Sequence, residues 1–335
     1  MTEDAFLFEL SGEHPTLPRA EALACIRAEC DRHSIIASGP GYLVCRFSTE
    51  KLNRIAYRLA LSHRIGRYLG SCKPDELGKF VSRLELPSGT FCVRVKRYQQ
   101  FMQEVDSLNV ARKIGEILGK KKPVNLNSPD VELRVILSDA LHFFISDRVV
   151  DRKQYDQRKV ALRPFFSPIS LHPRYARALV NLSMVEANET LLDPFCGTGG
   201  ILIEASLIGA RVFGSDVSEE MIEGCKKNMQ YFGAKWEQLK VIDVGAITAE
   251  FDHVDAVVTD PPYGRSATTK KEPPKQLYER AIKAVSDVLK TNGRLSIVFP
   301  SPCHITSDKL NLQEIHVQKI HRSLTRHYCV FTRLP

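Results

Sequence analysis

The chain has 335 residues, 43% of them hydrophobic and 26% charged, an ordinary balance for a soluble globular protein and enough length for two or three domains. No apolar run approaches the length that spans a bilayer, and the start Met1-Thr2-Glu3-Asp4 lacks the basic region of a signal peptide, so a cytoplasmic protein without a membrane partner is expected. The net charge of +8 is concentrated: residues 64–122 carry 13 basic and 6 acidic groups, whereas residues 171–335 carry 20 and 19, which suggests a polyanion-binding module joined to a near-neutral one.

Residues 1–61 alternate strand-like and helix-like patterns. Ala5-Phe6-Leu7-Phe8-Glu9-Leu10 and Tyr42-Leu43-Val44-Cys45-Arg46-Phe47 read as strands, and residues 18–30 and 50–61 as helices. That order suggests a small ferredoxin-like α+β unit. Residues 62–150 behave as a second α/β unit. Its strand Thr90-Phe91-Cys92-Val93-Arg94-Val95-Lys96-Arg97 alternates apolar and basic residues, so one face is expected to be cationic. A helix over residues 106–118 leads to the run Gly119-Lys120-Lys121-Lys122-Pro123. Residues 131–137 and 140–147 look like a hairpin around Ser138-Asp139. A basic linker, residues 151–170, holds Arg152, Lys153 and Arg158. The candidate RNA contacts are Arg94, Lys96, Arg97, Lys120, Lys121, Lys122, Arg152, Lys153 and Arg158; the plainer alternative is a solvated basic face and linker.

Residues 171–335 alternate strand and helix in the manner of a doubly wound parallel sheet, with strands expected at 190–193, 211–216, 239–243, 255–260 and 294–299. Ligands of such sheets bind at the carboxyl ends of the strands. The loop Asp193-Pro194-Phe195-Cys196-Gly197-Thr198-Gly199-Gly200 follows the first strand and opens a helix. It departs from the Gly-x-Gly-x-x-Gly that cradles a pyrophosphate, and an acid leads it, which suits a cationic, phosphate-free ligand such as S-adenosylmethionine. Asp216, Asp243 and Asp260 end the next three strands, and all four acids as mere helix caps is the weaker reading. Upstream, Arg163-Pro164-Phe165-Phe166-Ser167-Pro168-Ile169-Ser170-Leu171-His172-Pro173 precedes a helix and is placed to cover the methionine end of that ligand; the plainer alternative is a domain-entry loop.

Asp260-Pro261-Pro262-Tyr263-Gly264 carries the most chemistry. An exocyclic amine on a base is a poor nucleophile, because its lone pair is delocalised into the ring. Asp260 and the Pro261 carbonyl can accept its two hydrogens, Pro261 and Pro262 stiffen the loop, and Tyr263 offers a face on which a base can stack. Nine cysteines occur singly, with no Cys-x-x-Cys and no histidine at zinc-ligand spacing, so no metal site is expected; Cys196 reads as packing.

The order of pieces in residues 60–150 resembles a THUMP domain: the Val93-Arg94-Val95-Lys96-Arg97 strand, the Val110-Ala111-Arg112-Lys113-Ile114-Gly115 helix, Val124-Asn125-Leu126, and the paired strands through Ile145-Ser146. Together with Ser170-Leu171-His172-Pro173, the glycine loop, Asp260-Pro261-Pro262-Tyr263-Gly264 and the terminal His321-Arg322-Ser323-Leu324-Thr325-Arg326, almost the whole chain resembles the archaeal THUMP-containing tRNA guanine-N2 methyltransferases that modify guanosine 10. The resemblance implies a ferredoxin-like unit at residues 1–61, a THUMP RNA-binding domain at 62–150, a basic linker at 151–170 and a Rossmann-like methyltransferase domain at 171–335. It implies transfer of one or two methyl groups from S-adenosylmethionine to the N2 amine. Asp260, Pro261, Pro262 and Tyr263 would be catalytic. Ser170, Leu171, Asp193, Phe195, Gly197, Thr198, Gly199, Asp216, Val217, Asp243, Val244 and Asp260 would hold the cofactor, and tRNA would be the partner.

Two rival readings stand beside it. One is an amino methyltransferase of ribosomal RNA or of adenine in DNA, since the same tetrapeptide serves those substrates. The other is a non-catalytic RNA-binding protein. The residues leave open whether Asp260 is a base or only an acceptor, whether residues 265–275 close over RNA, and whether an accessory protein is needed.

Overall fold

The computed structural model describes residues 3–167, 170–263, 272–302, 307–322 and 324–335. Contacts divide the chain into two compact units: Met1–Ala22, Glu29–Tyr57 and Leu61–Asp151 form one, and Leu23–Ala28, Arg58–Ala60 and Arg152–Pro335 the other.

The N-terminal elements are β1 (Glu3–Leu10), α1 (Leu17–Glu29), β2 (His33–Gly39), β3 (Tyr42–Ser48), α2 (Leu52–Arg58) and β4 (Ser62–Cys72). The strands lie in the order β2-β3-β1-β4 with every pair antiparallel, the ferredoxin-like arrangement. Phe6, Leu7 and Phe8 are all buried, because central β1 is covered on both faces. Strand β2 was not expected: it is an edge, and its Ile35 and Ile36 are both exposed, so it carries no one-sided apolar pattern. The element expected over residues 50–61 is a 3₁₀ turn at Thr49–Lys51 followed by the shorter α2.

Then come α3 (Leu77–Ser82), β5 (Phe91–Arg97), α4 (Ser107–Gly119), β6 (Val131–Leu137) and β7 (Leu141–Val149). One seven-stranded sheet, β2-β3-β1-β4-β7-β6-β5, spans both expected N-terminal domains. Strand β4 completes the ferredoxin-like set and also pairs with β7, so the 61/62 boundary falls just before a strand that both halves share. Helix α4 starts where the Asp106 carboxylate accepts from the Leu108 and Asn109 amides at 2.7 and 3.2 Å. Its Val110, Ile114 and Leu118 recur at four-residue spacing and bury against Phe91, Val131 and Leu133. Each such burial contributes about 1.5–3 kcal/mol.

The second unit contains α5 (Lys153–Asp156), α6 (Pro173–Leu182), β8 (Thr190–Asp193), α7 (Gly200–Leu207), β9 (Arg211–Asp216), α8 (Glu219–Tyr231), β10 (Gln238–Val241), β11 (Val254–Thr259), α9 (Pro274–Val288), β12 (Leu289–Phe299), β13 (Leu310–His321) and β14 (Leu324–Arg333). The sheet order is β10-β9-β8-β11-β12-β14-β13. The first five strands are parallel, as expected, and the order reverses at β8 and β11, which opens a crevice at their carboxyl ends. Val257 and Val258 are adjacent and both fully buried, as on a parallel strand covered on two faces. The sheet is then extended by an unexpected antiparallel hairpin, β13–β14, with β14 antiparallel to β12. No helix among the described residues is long and apolar enough to cross a membrane. The eight cysteines among the described residues are buried and form no disulfide; Cys303 lies outside them.

Candidate active site

A cleft of about 870 Å³ opens at the carboxyl ends of β8, β9, β10 and β11. Every expected cofactor and catalytic residue lines it except Gly199, which sits behind the loop: a Cβ there would meet Cys225 Sγ at 2.7 Å.

The glycine loop is held from three sides. Gly197 and Gly199 adopt φ of +47° and +82°, a region open to glycine at little cost. The Asp193 carboxylate accepts from the Phe195 amide at 3.1 Å, and Asp216 Oδ2 accepts from the Gly197 amide at 3.1 Å. The segment before α6 supplies the third side. Arg163 donates to Thr198 Oγ1 at 3.1 Å, Ser170 Oγ lies 3.2 Å from the same oxygen, and Asn228 Nδ2 donates to the Thr198 and Phe165 carbonyls at 3.0 Å each. His172 has a structural part: it caps α6, its Nδ1 accepting from the Arg174 amide at 3.2 Å, with Pro173 in the first turn. Pro168 and Ile169 lie outside the described residues.

Three carboxylates converge under the loop. Burial raises Asp193 to about 7, only partly offset by hydrogen bonds from Thr259 and the Phe195 amide, while Asp260 and Asp216 add to the rise. Burial also raises Asp216, against hydrogen bonds from the Ser218 and Gly197 amides. Such a cluster favours a cationic ligand over a phosphate. Asp243 does not end a strand as expected. Strand β10 stops at Val241, and Asp243 caps the next 3₁₀ turn, accepting from the Gly245 amide at 2.8 Å. Its carboxylate also pairs with Arg280 on α9, whose other partner is Glu272 at 2.7 Å. The Cys225 thiol and burial together hold the Cys196 thiol protonated, consistent with packing.

At the reactive end, Asp260 immediately follows β11. Burial raises its carboxyl to about 6, against opposing contributions from Tyr263 and Arg326. Tyr263 Oη donates to Asp260 Oδ1 at 2.5 Å, and Arg326 Nε donates to Tyr263 Oη at 3.3 Å. Tyr278 on α9 donates to the Pro262 carbonyl at 3.0 Å, which pins the loop from behind. Arg280, Glu272, Tyr278 and Pro300 carry no local motif that marks them for a site, and His321, Leu324 and Arg326 stand out only as parts of the terminal motif. Apart from Tyr278, which acts from behind the loop, all of these line the cleft. Gly264, Ser323 and residues 265–271 of the basic loop lie outside the described residues.

The candidate RNA residues fare unevenly. Arg94 and Lys96 are exposed on edge strand β5, where Arg94 reaches the Leu126 carbonyl at 2.7 Å and Lys96 pairs with Glu9 at 2.5 Å. Arg97 is turned into its own loop, donating to the carbonyls of Phe101, Met102 and Val105. Lys120, Lys121 and Lys122 follow α4; Lys121 and Lys122 reach the carbonyls of Ser82 and Pro87. In the second unit, Lys153 is exposed and Arg152 half-buried. Arg158 is not a surface cation: it is 9% exposed, and its guanidinium binds Glu204 at 2.7 and 3.1 Å.

Residues 161–328 match the family described as RMKL-like, methyltransferase domain, and residues 80–141 match the THUMP domain. The "tRNA (guanine(10)-N2)-dimethyltransferase" of Methanothermobacter thermautotrophicus is 35% identical over 97% of this chain and 98% of its own length. The chain belongs to this THUMP-containing methyltransferase family. A second member, with the same name, from Pyrococcus abyssi is 36% identical over 97% of this chain and 98% of its own. Among solved structures, TrmN from Thermus thermophilus superposes with a TM-score of 0.56 at 21% identity, covering 98% of this chain and all of that one, a likeness of fold. The family's Rossmann-like sheet accounts for the cleft's position at the β8/β11 reversal.

Proposed function

We propose that this enzyme is an S-adenosylmethionine-dependent tRNA methyltransferase acting on the exocyclic N2 amine of guanosine 10, giving the N2-methyl and then the N2,N2-dimethyl nucleoside. The observation that carries the reading is the placement of Asp260-Pro261-Pro262-Tyr263 beside the carboxylate-lined glycine loop in one cleft, in a chain related over almost its full length to relatives bearing that activity in their names. The same full-length relationship favours it over ribosomal RNA, DNA adenine or a binding-only role.

The cleft fits the cofactor. A cationic, phosphate-free ligand matches the three carboxylates at Asp193, Asp216 and Asp260, and the open glycine backbone at 197 lets it approach closely. Asp216 with Val217 would hold the ribose end and Asp243 with Val244 the adenine end; Ser170, Leu171, Phe195, Gly197 and Thr198 would line the rest, and Gly199 would shape the loop from behind. When bound, S-adenosylmethionine supplies an electrophilic methyl group. The protein supplies position. Asp260 and the Pro261 carbonyl accept the two amine hydrogens and turn the nitrogen lone pair out of conjugation. Tyr278 donates to the neighbouring Pro262 carbonyl and so helps hold the loop in place. A base that has left its helix stacks on Tyr263, and Asp260 retains the proton released on transfer. Arg94, Lys96 and Lys120 to Lys122 present the cationic surface of the THUMP unit to tRNA.

The test is incubation with S-adenosylmethionine and unmodified tRNA transcripts, followed by nucleoside mass spectrometry, with Asp260→Ala in parallel. Methylated guanosine at position 10 from the wild type alone is expected. Methylation at another site or on another RNA would overturn the assignment.

A further inference from the structure

The terminal motif ends in Arg326. This arginine belongs to β14, the antiparallel strand outside the doubly wound core, yet it lines the cleft. Its Nε lies 3.3 Å from Tyr263 Oη, and that hydroxyl lies 2.5 Å from Asp260 Oδ1.

A guanidinium can only donate, so the Tyr263 oxygen accepts from Arg326 and the tyrosine proton points at Asp260. The relay therefore has one direction: Arg326 to Tyr263 to Asp260. It leaves Asp260 Oδ2 for the amine and fixes the Tyr263 ring by its hydroxyl. Building on the methyl-transfer reading, we propose that Arg326 is a positioning residue which, through Tyr263, holds the Asp260 carboxylate aimed and charged for the amine.

The surroundings of Asp260 make such support necessary. Beyond Tyr263 on its own loop and Arg326 on β14, the titratable groups among the described residues that feel its charge are Asp193 on β8, Tyr278 on α9 and Tyr328 on β14. Asp193 repels it when ionised, and Arg326 is the cation among them. Burial works against the charge on Arg326 itself, and the facing Tyr263, Asp260 and Tyr328 more than offset that. With Arg326 neutralised, the carboxylate is left in a desolvated pocket with neutral tyrosines and another acid, and an opposite charge at such range is worth about one to three pH units.

The test compares Arg326→Gln, Arg326→Lys, Tyr263→Phe and the Gln/Phe double variant with the wild-type full chain. Single-turnover methylation of a tRNA transcript is followed from pH 5 to 9, tRNA affinity by filter binding, and the Asp260 carboxyl by ¹³C titration with Asp260→Asn as the assignment control. In Arg326→Gln the acid limb of the rate, and the carboxyl titration with it, should move up by about one pH unit or more. Transfer near pH 5 should fall about tenfold or more while tRNA affinity stays within about threefold. Lysine should recover part of the shift, and the double variant should be no worse than Tyr263→Phe alone, as for residues acting in series. A uniformly lower rate with an unmoved acid limb, or a loss confined to tRNA affinity, would overturn the proposal. The carboxyl titration needs no substrate, so a wild type that fails to methylate tRNA would count against the functional reading while the titration still decides the role of Arg326.

Discussion

Thr259 Oγ1 donates a 2.7 Å hydrogen bond to Asp193 Oδ1, joining the last residues of β11 and β8 beneath the cleft. Asp260 follows the first of these residues and the glycine loop follows the second. One buried bond therefore helps set the distance between Asp260 and the glycine loop.

That bond makes a pH prediction about stability. Asp193 is 1% exposed and raised to about 7 by burial, above its value in the unfolded chain. A carboxyl with a raised folded value favours the folded state at low pH, and this contribution is lost as pH rises from about 4 through 7. Asp193→Asn keeps the Oδ1 acceptor and removes the charge. Urea unfolding at pH 5 and pH 8 should show the variant gaining on the wild type at the higher pH, by at most about 4 kcal/mol. A difference that does not change with pH would count against a buried, titrating Asp193.

Methyl transfer should depend on pH through Asp260. Its carboxyl, raised to about 6 by burial, must be ionised to accept from the amine. The rate should fall about tenfold per pH unit below that value and level off above about 7. Asp260→Ala should lose transfer by about 10²-fold or more, with tRNA affinity nearly unchanged. Equal loss of tRNA binding would contradict a division of labour between cleft and THUMP unit.

Strands β8, β9 and β11 are legible in the sequence as short, mostly apolar runs ending at or just before an acid, because most of their residues are buried and their ends line one cleft. Asp193, Asp216 and Asp260 are readable for that reason. The β13–β14 hairpin is not: Ile315, Val317 and Ile320 are apolar but exposed on an edge strand, so alternation does not mark a buried side. Arg326 and Arg280 meet the cleft only through tertiary packing, 63 and 37 residues from Tyr263 and Asp243. Local composition misleads for Arg158, where a basic stretch suggests solvent and the fold supplies a buried partner.

The lysine run is expected to contribute through charge rather than base recognition. Lys120 and Lys121 are exposed and Lys122 half-buried after α4; the last two also tie the loop to the Ser82 and Pro87 carbonyls. Replacing all three with glutamine should weaken tRNA binding and reduce the slope of log affinity against log salt by about 0.9 for each phosphate no longer neutralised. The catalytic rate at saturating tRNA should hold. An unchanged salt slope would place the RNA on another face.

Arg158 gives the opposite expectation. Glu204 is 1% exposed and binds two guanidinium groups, Arg158 at 2.7 Å and Arg177 at 2.9 Å, with the Tyr155 ring 5.1 and 5.7 Å from the two. Both arginines are buried, so replacing their shared anion takes the Glu204 charge away from two buried cations. Glu204→Gln should cost about 3–5 kcal/mol by chemical denaturation, the range for a broken buried pair. Arg158→Met removes one cation while Arg177 still balances Glu204, and should cost less. If Arg158 served RNA instead, Arg158→Met would lower tRNA affinity at unchanged stability; we expect the reverse, a loss of stability with affinity of the folded protein preserved.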